Sequence, residues 1–296
     1  MDDKTETFER HRRRLFGLAY RMLGTVGDAE DAVQDTWLRW HRADAAKIET
    51  PEAWLVTACT RLCIDRLRAA RTEREHYTGT WLPEPIIGPL IELEVAPAPD
   101  MVPGELADDL SMALLVVMER LSPAERTAWL LREAFDYDYG QLAVALKKTE
   151  PACRQLVSRA QKHIAEARPR FAADAGAARA LAAKFTAATQ AGDVAQIAGL
   201  LTEDAMLWSD GGGKAQAALN IIHGADKVAR FFGGIAFKQP GDLRRVPCLI
   251  NRQPGVMTYE ADGRPYSAMG FDIRDGVVHT VFIVRNPDKL ARVPAL

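Results

Sequence analysis

The sequence predicts a multidomain chain: two all-α domains, the second carrying a helix-turn-helix, followed by an α+β domain with helices first and a curved antiparallel sheet after them. Three observations predict this. Apolar residues recur at three- and four-residue steps through two long stretches, a proline-rich segment separates those stretches, and after Pro169 alternating runs appear with Asp-Gly pairs between them. The length of 296 residues agrees, being long for one domain. With 48% hydrophobic and 26% charged residues, the chain can build real cores and is not broadly disordered.

The first predicted domain is 1–76. Phe8, Leu15, Ala19, Met22 and Leu23 keep helical spacing, and Asp28 reads as opening a second helix over 29–41 with the stripe Ala32, Val33, Thr36, Trp37 and Trp40. Thr50 then precedes Pro51, an N-cap before a proline at the first helical position, and the helix carries Trp54, Leu55, Ala58, Leu62 and Leu67. Composition shifts at Tyr77. Residues 77–104 hold Pro83, Pro85, Pro89, Pro97, Pro99 and Pro103, which no helix accommodates, so an extended interdomain linker is predicted. Trp81, Leu82, Ile86, Ile87, Leu90, Ile91 and Leu93 make it too apolar for a bare tether, and part of it is expected to lie in a groove on a partner.

Helical spacing returns over 105–170. Leu106, Leu110, Leu114, Val117 and Met118 mark one helix, and Ser122-Pro123-Ala124-Glu125 is a capping box that opens the next. A short helix Tyr139–Leu146, a break over 147–151 and a final helix from about Ala152 follow. The last domain, 176–296, reads as helices near 177–191, 193–202 and 224–233. Its strands are read near 205–208, 244–251, 255–260, 265–273 and 277–285, and Asp262-Gly263 and Asp275-Gly276 supply hairpin turns.

Charge and cysteine usage narrow the function classes. The net charge is −2, but from Lys147 to Arg170 seven Lys/Arg face two Asp/Glu, a local balance of +5, so basicity is concentrated at the final helix of the second domain. Cys59, Cys63, Cys153 and Cys248 are scattered, which fits a reducing compartment better than a disulfide framework. Cys59 and Cys63 share a helical face, but His76 alone does not complete a ligand set, so no metal is expected. The N-terminus is charged and no apolar run approaches the ~20 residues of a membrane span, so a cytoplasmic protein without membrane attachment is expected.

Residues 138–166 fit a helix-turn-helix. Leu142, Ala143 and Leu146 point inward from the short helix, and Cys153, Leu156, Val157, Ala160 and Ile164 form one buried stripe of the second. The opposite face shows Arg154, Gln155, Ser158, Arg159 and Lys162. Arg and Gln suit base edges, and Lys and Ser suit phosphates. Spacing alone does not separate this from a solvated basic helix in a bundle.

Three runs carry a family resemblance. Gly27-Asp28-Ala29-Glu30-Asp31-Ala32-Val33-Gln34-Asp35-Thr36-Trp37-Leu38-Arg39 resembles the helix by which sigma factors dock on the RNA polymerase clamp. Thr50-Pro51-Glu52-Ala53-Trp54-Leu55 with Cys63-Ile64-Asp65-Arg66-Leu67-Arg68 resembles the helix that melts and reads the −10 promoter element. Leu121-Ser122-Pro123-Ala124-Glu125-Arg126 resembles the start of the −35-reading domain. Together they are similar to extracytoplasmic-function sigma factors of the sigma-70 family. The resemblance implies that Asp31, Gln34, Asp35 and Trp37 meet the polymerase core (its beta and beta-prime subunits). It implies that Arg61, Arg66 and Arg68, with the exposed face from Arg154 to Lys162, meet promoter DNA. Two departures stand out: Thr60-Arg61 replaces a common Arg-Asn, and Thr149-Glu150-Pro151-Ala152 carries proline where relatives often have glycine, which the first turn of a helix accepts.

The linker run from His76 to Pro85, with Asp210-Gly211-Gly212-Gly213-Lys214 and Asn286-Pro287-Asp288-Lys289-Leu290, resembles the branch with a SnoaL-like C-terminal extension. That resemblance implies a cone of the nuclear transport factor 2 (NTF2) type acting as a built-in regulator. Trp81, Pro83, Asp210, Gly211, Gly212, Gly213, Lys214, Asn286, Pro287, Asp288, Lys289 and Leu290 are the regulatory candidates, read as exposed surfaces for intramolecular contact. No cofactor is expected. The alternative is a SnoaL-type isomerase or cyclase, or a sensor with a small ligand in its cone, fused to a DNA-binding module. Its acid/base candidates are Asp210, His223, Asp272 and His279, and its apolar wall would draw on Phe185, Trp208, Phe231, Phe271 and Phe282. A repressor acting without polymerase would have no use for the clamp-helix run.

Overall fold

The computed structural model describes residues 3–88, 111–165 and 175–296. The rest of the proline-rich segment and the beginning of the helix expected from Glu105 lie outside the described residues. The described residues form two compact units, one of 3–75 and 114–165, the other of 76–88, 111–113 and 175–296.

The first unit is all-helical: α1 Asp3–Leu23, α2 Val26–Arg42, a 3₁₀ turn Ala45–Lys47, α3 Pro51–Glu75, then α4 Met112–Met118, α5 Pro123–Ala134, α6 Tyr139–Leu146 and α7 Glu150–Ala165. The first residues of α4 belong to the other unit. Helix α2 begins about a turn before the expected 29, because Thr25 is the N-cap and accepts from the Asp28 amide at 3.3 Å. The Ser122–Glu125 capping box of α5 is present as read. A second box, Asp138 with Gln141, starts α6, and Lys147 ends it in the left-handed region at φ 53°. Helix α7 begins at Glu150, two residues earlier than expected, with Thr149 Oγ1 accepting from the Ala152 amide.

Within this unit both helical groups pack together around Arg126, which is buried. Its guanidinium donates to Met22 O of α1 and Met118 O of α4, both at 2.5 Å, and pairs with Glu119 at 2.7 Å. Arg74 of α3 joins the same Glu119 and donates to Leu23 O at 2.6 Å. The two arginines satisfy the orphan carbonyls that end α1.

The second unit holds α8 Ala175–Ala191, α9 Val194–Gly199, β2 Leu201–Asp210, β3 Ile222–His223, α10 Ala225–Ala236, β4 Arg244–Ile250, β5 Gln253–Tyr259, β6 Pro265–Arg274, β7 Val277–Val284 and α11 Pro287–Leu290. Strand β1, Ile87–Gly88, comes from the linker and completes a sheet of order β1-β4-β5-β6-β7-β2-β3. The expected sheet was antiparallel throughout. Instead β2 runs parallel to β7, since these two strands are joined through the rest of the domain and no hairpin fixes their direction. Helices α8 to α10 cover one face, where Phe185 meets Phe232 and Phe271 edge-on at 5.4 Å. This is the helices-on-curved-sheet cone expected of an NTF2-like domain.

The turn Asp275-Gly276 has φ 50° and 75°, as its sequence demands, between the paired Arg274 and Val277. The β4–β5 turn does the same with Asn251 and Arg252 at φ 53° and 65°. Among the described residues no helix is long and apolar enough to cross a membrane, and no cluster of three metal-ligating side chains occurs.

Candidate polymerase and nucleic-acid interfaces and the linker clasp

Helix α7 divides as its sequence reads. Cys153, Leu156, Val157, Ala160 and Ile164 are buried, and Arg154, Gln155, Ser158, Arg159 and Lys162 are exposed. Two of the exposed cations are already oriented. Arg154 pairs with Glu150 at 3.1 Å and lies 4.7 Å from the centroid of Tyr139, and Arg159 pairs with Glu125 at 3.0 Å. Burial raises the Glu125 pKa, but its hydrogen bonds to Ser122, with Arg159 and His163, outweigh this and hold the carboxyl below its ordinary value. The capping box of α5 is therefore also a tether for Arg159.

The four residues expected at the polymerase surface divide between two places. Gln34 and Trp37 line an open groove between α1 and α2 with Phe8 and Phe16, and Trp37 stacks at a tilt on Phe8 at 5.0 Å. Asp31 and Asp35 turn instead toward Arg66 of α3, at 3.5 and 2.8 Å. Burial lowers the Arg66 pKa, yet the hydrogen bond and charge of Asp35, with Asp31, outweigh it and raise the guanidinium above its ordinary value. Arg66, expected at DNA, is thus held against the aspartate row. Arg61, also expected at DNA, donates to Val144 O at 3.0 Å and Ala145 O at 3.4 Å, where it serves the end of α6. Arg68 stays exposed, 3.6 Å from Asp65.

In the second unit three separated sequence runs meet at one buried carboxylate. Asp210, the last residue of β2, is withdrawn from water. Its Oδ1 accepts from Tyr77 Oη at 2.5 Å and from the Gly212 amide at 3.0 Å. Its Oδ2 accepts from the Leu82 amide at 2.9 Å and from Lys289 Nζ at 2.6 Å. Lys289 also donates to Leu82 O, and its ammonium lies 4.2 Å from the Trp81 ring and 5.0 Å from Tyr77. Asn286 Nδ2 donates to Tyr77 Oη at 2.8 Å, and Lys214 pairs with Asp288 at 2.5 Å. Pro287 starts the short turn α11, which brings Lys289 and Leu290 inward. Burial, followed by the hydrogen bond and charge of Asp210, raises the Tyr77 phenol well above its ordinary value.

The glycines have a physical reason. Gly212 and Gly213 have φ 59° and 70°, and a Cβ on Gly212 would overlap the Asn286 side chain, while one on Gly213 would crowd Thr78. The expectation that these segments are exposed surfaces is corrected: Leu82, Pro83, Glu84, Asp210, Asn286, Lys289 and Leu290 are buried, because they cover one another. Lys214, Asp288 and the half-buried Trp81 form the rim. The linker's partner groove lies within this same chain. Ile86 closes it, its amide donating to Asn251 Oδ1 at 3.0 Å and its carbonyl accepting from the Asn251 amide at 2.8 Å.

The acid/base candidates do not converge. Asp210 belongs to the clasp, Asp272 pairs with Arg274 at 2.5 Å, His223 is exposed on β3, and His279 is half-buried on β7. Of the five aromatic residues expected to wall the cone, Phe231 lines its cavity. Phe185 and Phe271 pack in the core, and Trp208 and Phe282 pair side by side on neighbouring strands outside it.

Comparison with known proteins agrees with this architecture. Residues 7–73 match the model of Sigma-70 region 2, and residues 111–164 match Sigma-70, region 4. The chain is 38% identical to the ECF RNA polymerase sigma factor SigJ of Mycobacterium tuberculosis, over 97% of this chain and 93% of that one. It is 34% identical to a probable ECF RNA polymerase sigma factor, SigI, of the same organism, over 65% of each. The crystal structure of Mycobacterium tuberculosis SigJ superposes over 99% of both chains with a TM-score of 0.76 and 34% identity. A region 2 helix set, a region 4 helix-turn-helix and a fused α+β cone in one full-length match have one meaning: this chain belongs to the extracytoplasmic-function RNA polymerase sigma factors of the sigma-70 family.

Proposed function

We propose that the chain directs polymerase core to its promoters in the cytoplasm and that its C-terminal domain governs this by holding the interdomain linker. In this reading α2 and the α1–α2 groove dock on the beta-prime subunit, with further contact to beta. Helix α3 reads the −10 element and α7 the −35 element. The observation that carries the regulatory part is the Asp210 clasp. Trp81 to Pro85 are the apolar centre of the segment joining regions 2 and 4, and Asp210 with Lys289 holds that centre on both sides of Leu82.

The spacing of the promoter elements supports a closed resting form. The −10 and −35 elements lie about 25 base pairs apart, or ~85 Å at ~3.4 Å per pair. Regions 2 and 4 touch within the first unit, through Arg61 on α6 and Arg126 on α1. They must separate before both elements can be read at once, and a linker clasped from Tyr77 to Gly88 restricts that separation.

Run-off transcription with polymerase core tests the reading, using the full chain, Asp210→Ala and two truncations. Removal of residues beyond about Arg292 should raise transcription, because it cuts the Leu296 amide bond to Gly263 O that ties down the tail carrying Lys289 and Arg292, the latter 3.8 Å from Glu84. Removal of everything beyond Arg170 should lose activity, since the tail also supports the active form. Equal transcription from all four would mean that the extension is merely appended.

A further inference from the structure

The cone of the C-terminal domain encloses a cavity of about 280 Å³, close to the ~300 Å³ at which small-molecule pockets begin. Its walls are layered by the register of the sheet. Arg245 of β4 pairs across to Thr258 of β5, Thr258 to Ser267 of β6, and Arg285, the residue after β7, continues the row beyond the Ala268–Val284 pair. Two residues deeper lie Met269 and Ile283, a cross-strand pair, with Ser209 beside Ile283. Helix α10 roofs the space with Phe231, Phe232 and Ile235. The interior is thus apolar at the floor and hydroxylated and cationic at the rim.

The charge is one-sided. Lys238, Arg245 and Arg285 line the cavity, and among the described residues no aspartate or glutamate does. Arg285 donates to Gln216 O at 3.0 Å and its guanidinium lies 4.0 Å from the Tyr266 centroid, but its buried Nε has no hydrogen-bond partner. Arg245 donates to the neutral Gln239 amide at 2.8 Å. Burial pulls the Arg245 pKa down, with Tyr266 acting the other way. Part-buried guanidinium groups without a carboxylate are costly unless an anion completes them. Three strand spacings of ~4.8 Å put the Arg245 and Arg285 backbones roughly 14 Å apart, a span that two long side chains close over Thr258 and Ser267.

We propose that this cavity binds a small organic carboxylate with an apolar ring body, the carboxylate held at the rim by Arg245 and Arg285 and the ring between Met269, Ile283 and the α10 aromatics. Arginine suits the role because its planar fork matches a carboxylate with paired hydrogen bonds. The Arg285 amide also donates to Asp210 O at 2.7 Å, so an occupant that moves Arg285 reaches the clasp. That coupling rests on the regulatory reading of the clasp, whereas the binding does not.

The test is calorimetric titration of the full chain with 2-naphthoate and, separately, with the neutral 2-naphthylmethanol. The expected result is saturable one-to-one binding of the carboxylate, weaker by about tenfold or more for the alcohol and for Arg245→Gln or Arg285→Gln. The two-probe comparison uses the unmodified protein and stands whether or not a variant folds. No binding of naphthoate at millimolar concentration, equal binding of both probes, or unchanged binding in both folded variants overturns the site. If naphthoate binds as expected but leaves run-off transcription unchanged, the site stands and its coupling to the clasp is overturned.

Discussion

Lys289 Nζ lies 2.6 Å from Asp210 Oδ2, and the pair is shut off from water, with the Lys289 side chain 8% exposed and that of Asp210 not at all. Removing one partner of such a pair strands the other charge, at a cost of about 3–5 kcal/mol. Asp210→Ala should therefore destabilise the C-terminal unit by that order in urea unfolding, and should lose more than Lys289→Met, which leaves Asp210 its bonds from Tyr77, Leu82 and Gly212. The double variant should recover part of the Asp210→Ala loss. Additive losses in the double variant would show that the two side chains are not coupled.

Alkaline pH should open the clasp. The Tyr77 phenol is raised in the folded chain above its unfolded value of 10.0, so its contribution is fully present below pH 10 and is lost as the pH rises above it. Trp81 fluorescence should hold steady to about pH 10 and then change as the ring leaves Lys289. Tyr77→Phe should remove that step, and a step of the same size in the variant would assign it to another group.

Docking on polymerase should depend on the aspartate row of α2. Asp31→Arg with Asp35→Arg reverses the charge offered to the core and also repels Arg66, which now lies 2.8 Å from Asp35. Affinity for core should fall and become less sensitive to salt. Unchanged affinity in a titration would remove α2 from the interface.

On α7 the exposed residues should separate by role. Arg154→Ala should cost about 1–3 kcal/mol at one −35 position and relax preference there. Lys162→Ala should weaken every sequence alike and flatten the salt dependence. Arg159→Ala should do less than Arg154→Ala on closed protein, since Arg159 must leave the largely buried Glu125, whereas Glu150, the partner of Arg154, is exposed. Identical binding-site profiles for wild type, Arg154→Ala and Arg159→Ala would exclude α7 as the reader.

Separation of regions 2 and 4 should be eased by Glu119→Gln, which weakens the pairs to Arg74 and Arg126 at once. The distance between dyes on α3 and α7 should lengthen or broaden by energy transfer, and transcription at limiting core should rise. An unchanged distance would place the restraint elsewhere, in the packing around Arg126.

The helices were legible because their signals are local. Ser122 to Glu125 and the stripe from Cys153 to Ile164 need no distant partner to be read, and the Asp275-Gly276 turn announces itself. What escaped was either too short for a period or made by distant neighbours. Two-residue strands such as Ile87–Gly88 carry no alternation, and Asn251-Arg252 takes a conformation usually signalled by glycine. The parallel pairing of β2 with β7 is set by the whole sheet. At the sites, the faces of α7 followed from spacing, but Arg61 and Arg66 looked free because their partners lie far along the chain or on another helix. The runs at 81–83, 210–214 and 286–290 were legible as candidates, yet their burial was missed. A carboxylate at 210, a lysine at 289 and the backbone of Leu82 come together only after folding.

Strand β1 has a consequence for the protein's life in a crowded cell. A sheet ends where hydrogen-bonding groups face outward, and such a border recruits strands from strangers. Here both borders are finished by two-residue pieces, Ile87–Gly88 beside β4 and Ile222–His223 beside β2. The second piece is integral to the domain, but the first is lent by the linker. If the linker leaves as the proposed release requires, the Leu249–Ile250 end of β4, next to the β4–β5 turn, is bared for as long as it stays away. Arg244, Arg245 and Pro247 earlier in β4 make most of that border unattractive to a stranger. The two apolar residues at its end stay adhesive, so a released form would carry a brief, local stickiness that the clasped form does not.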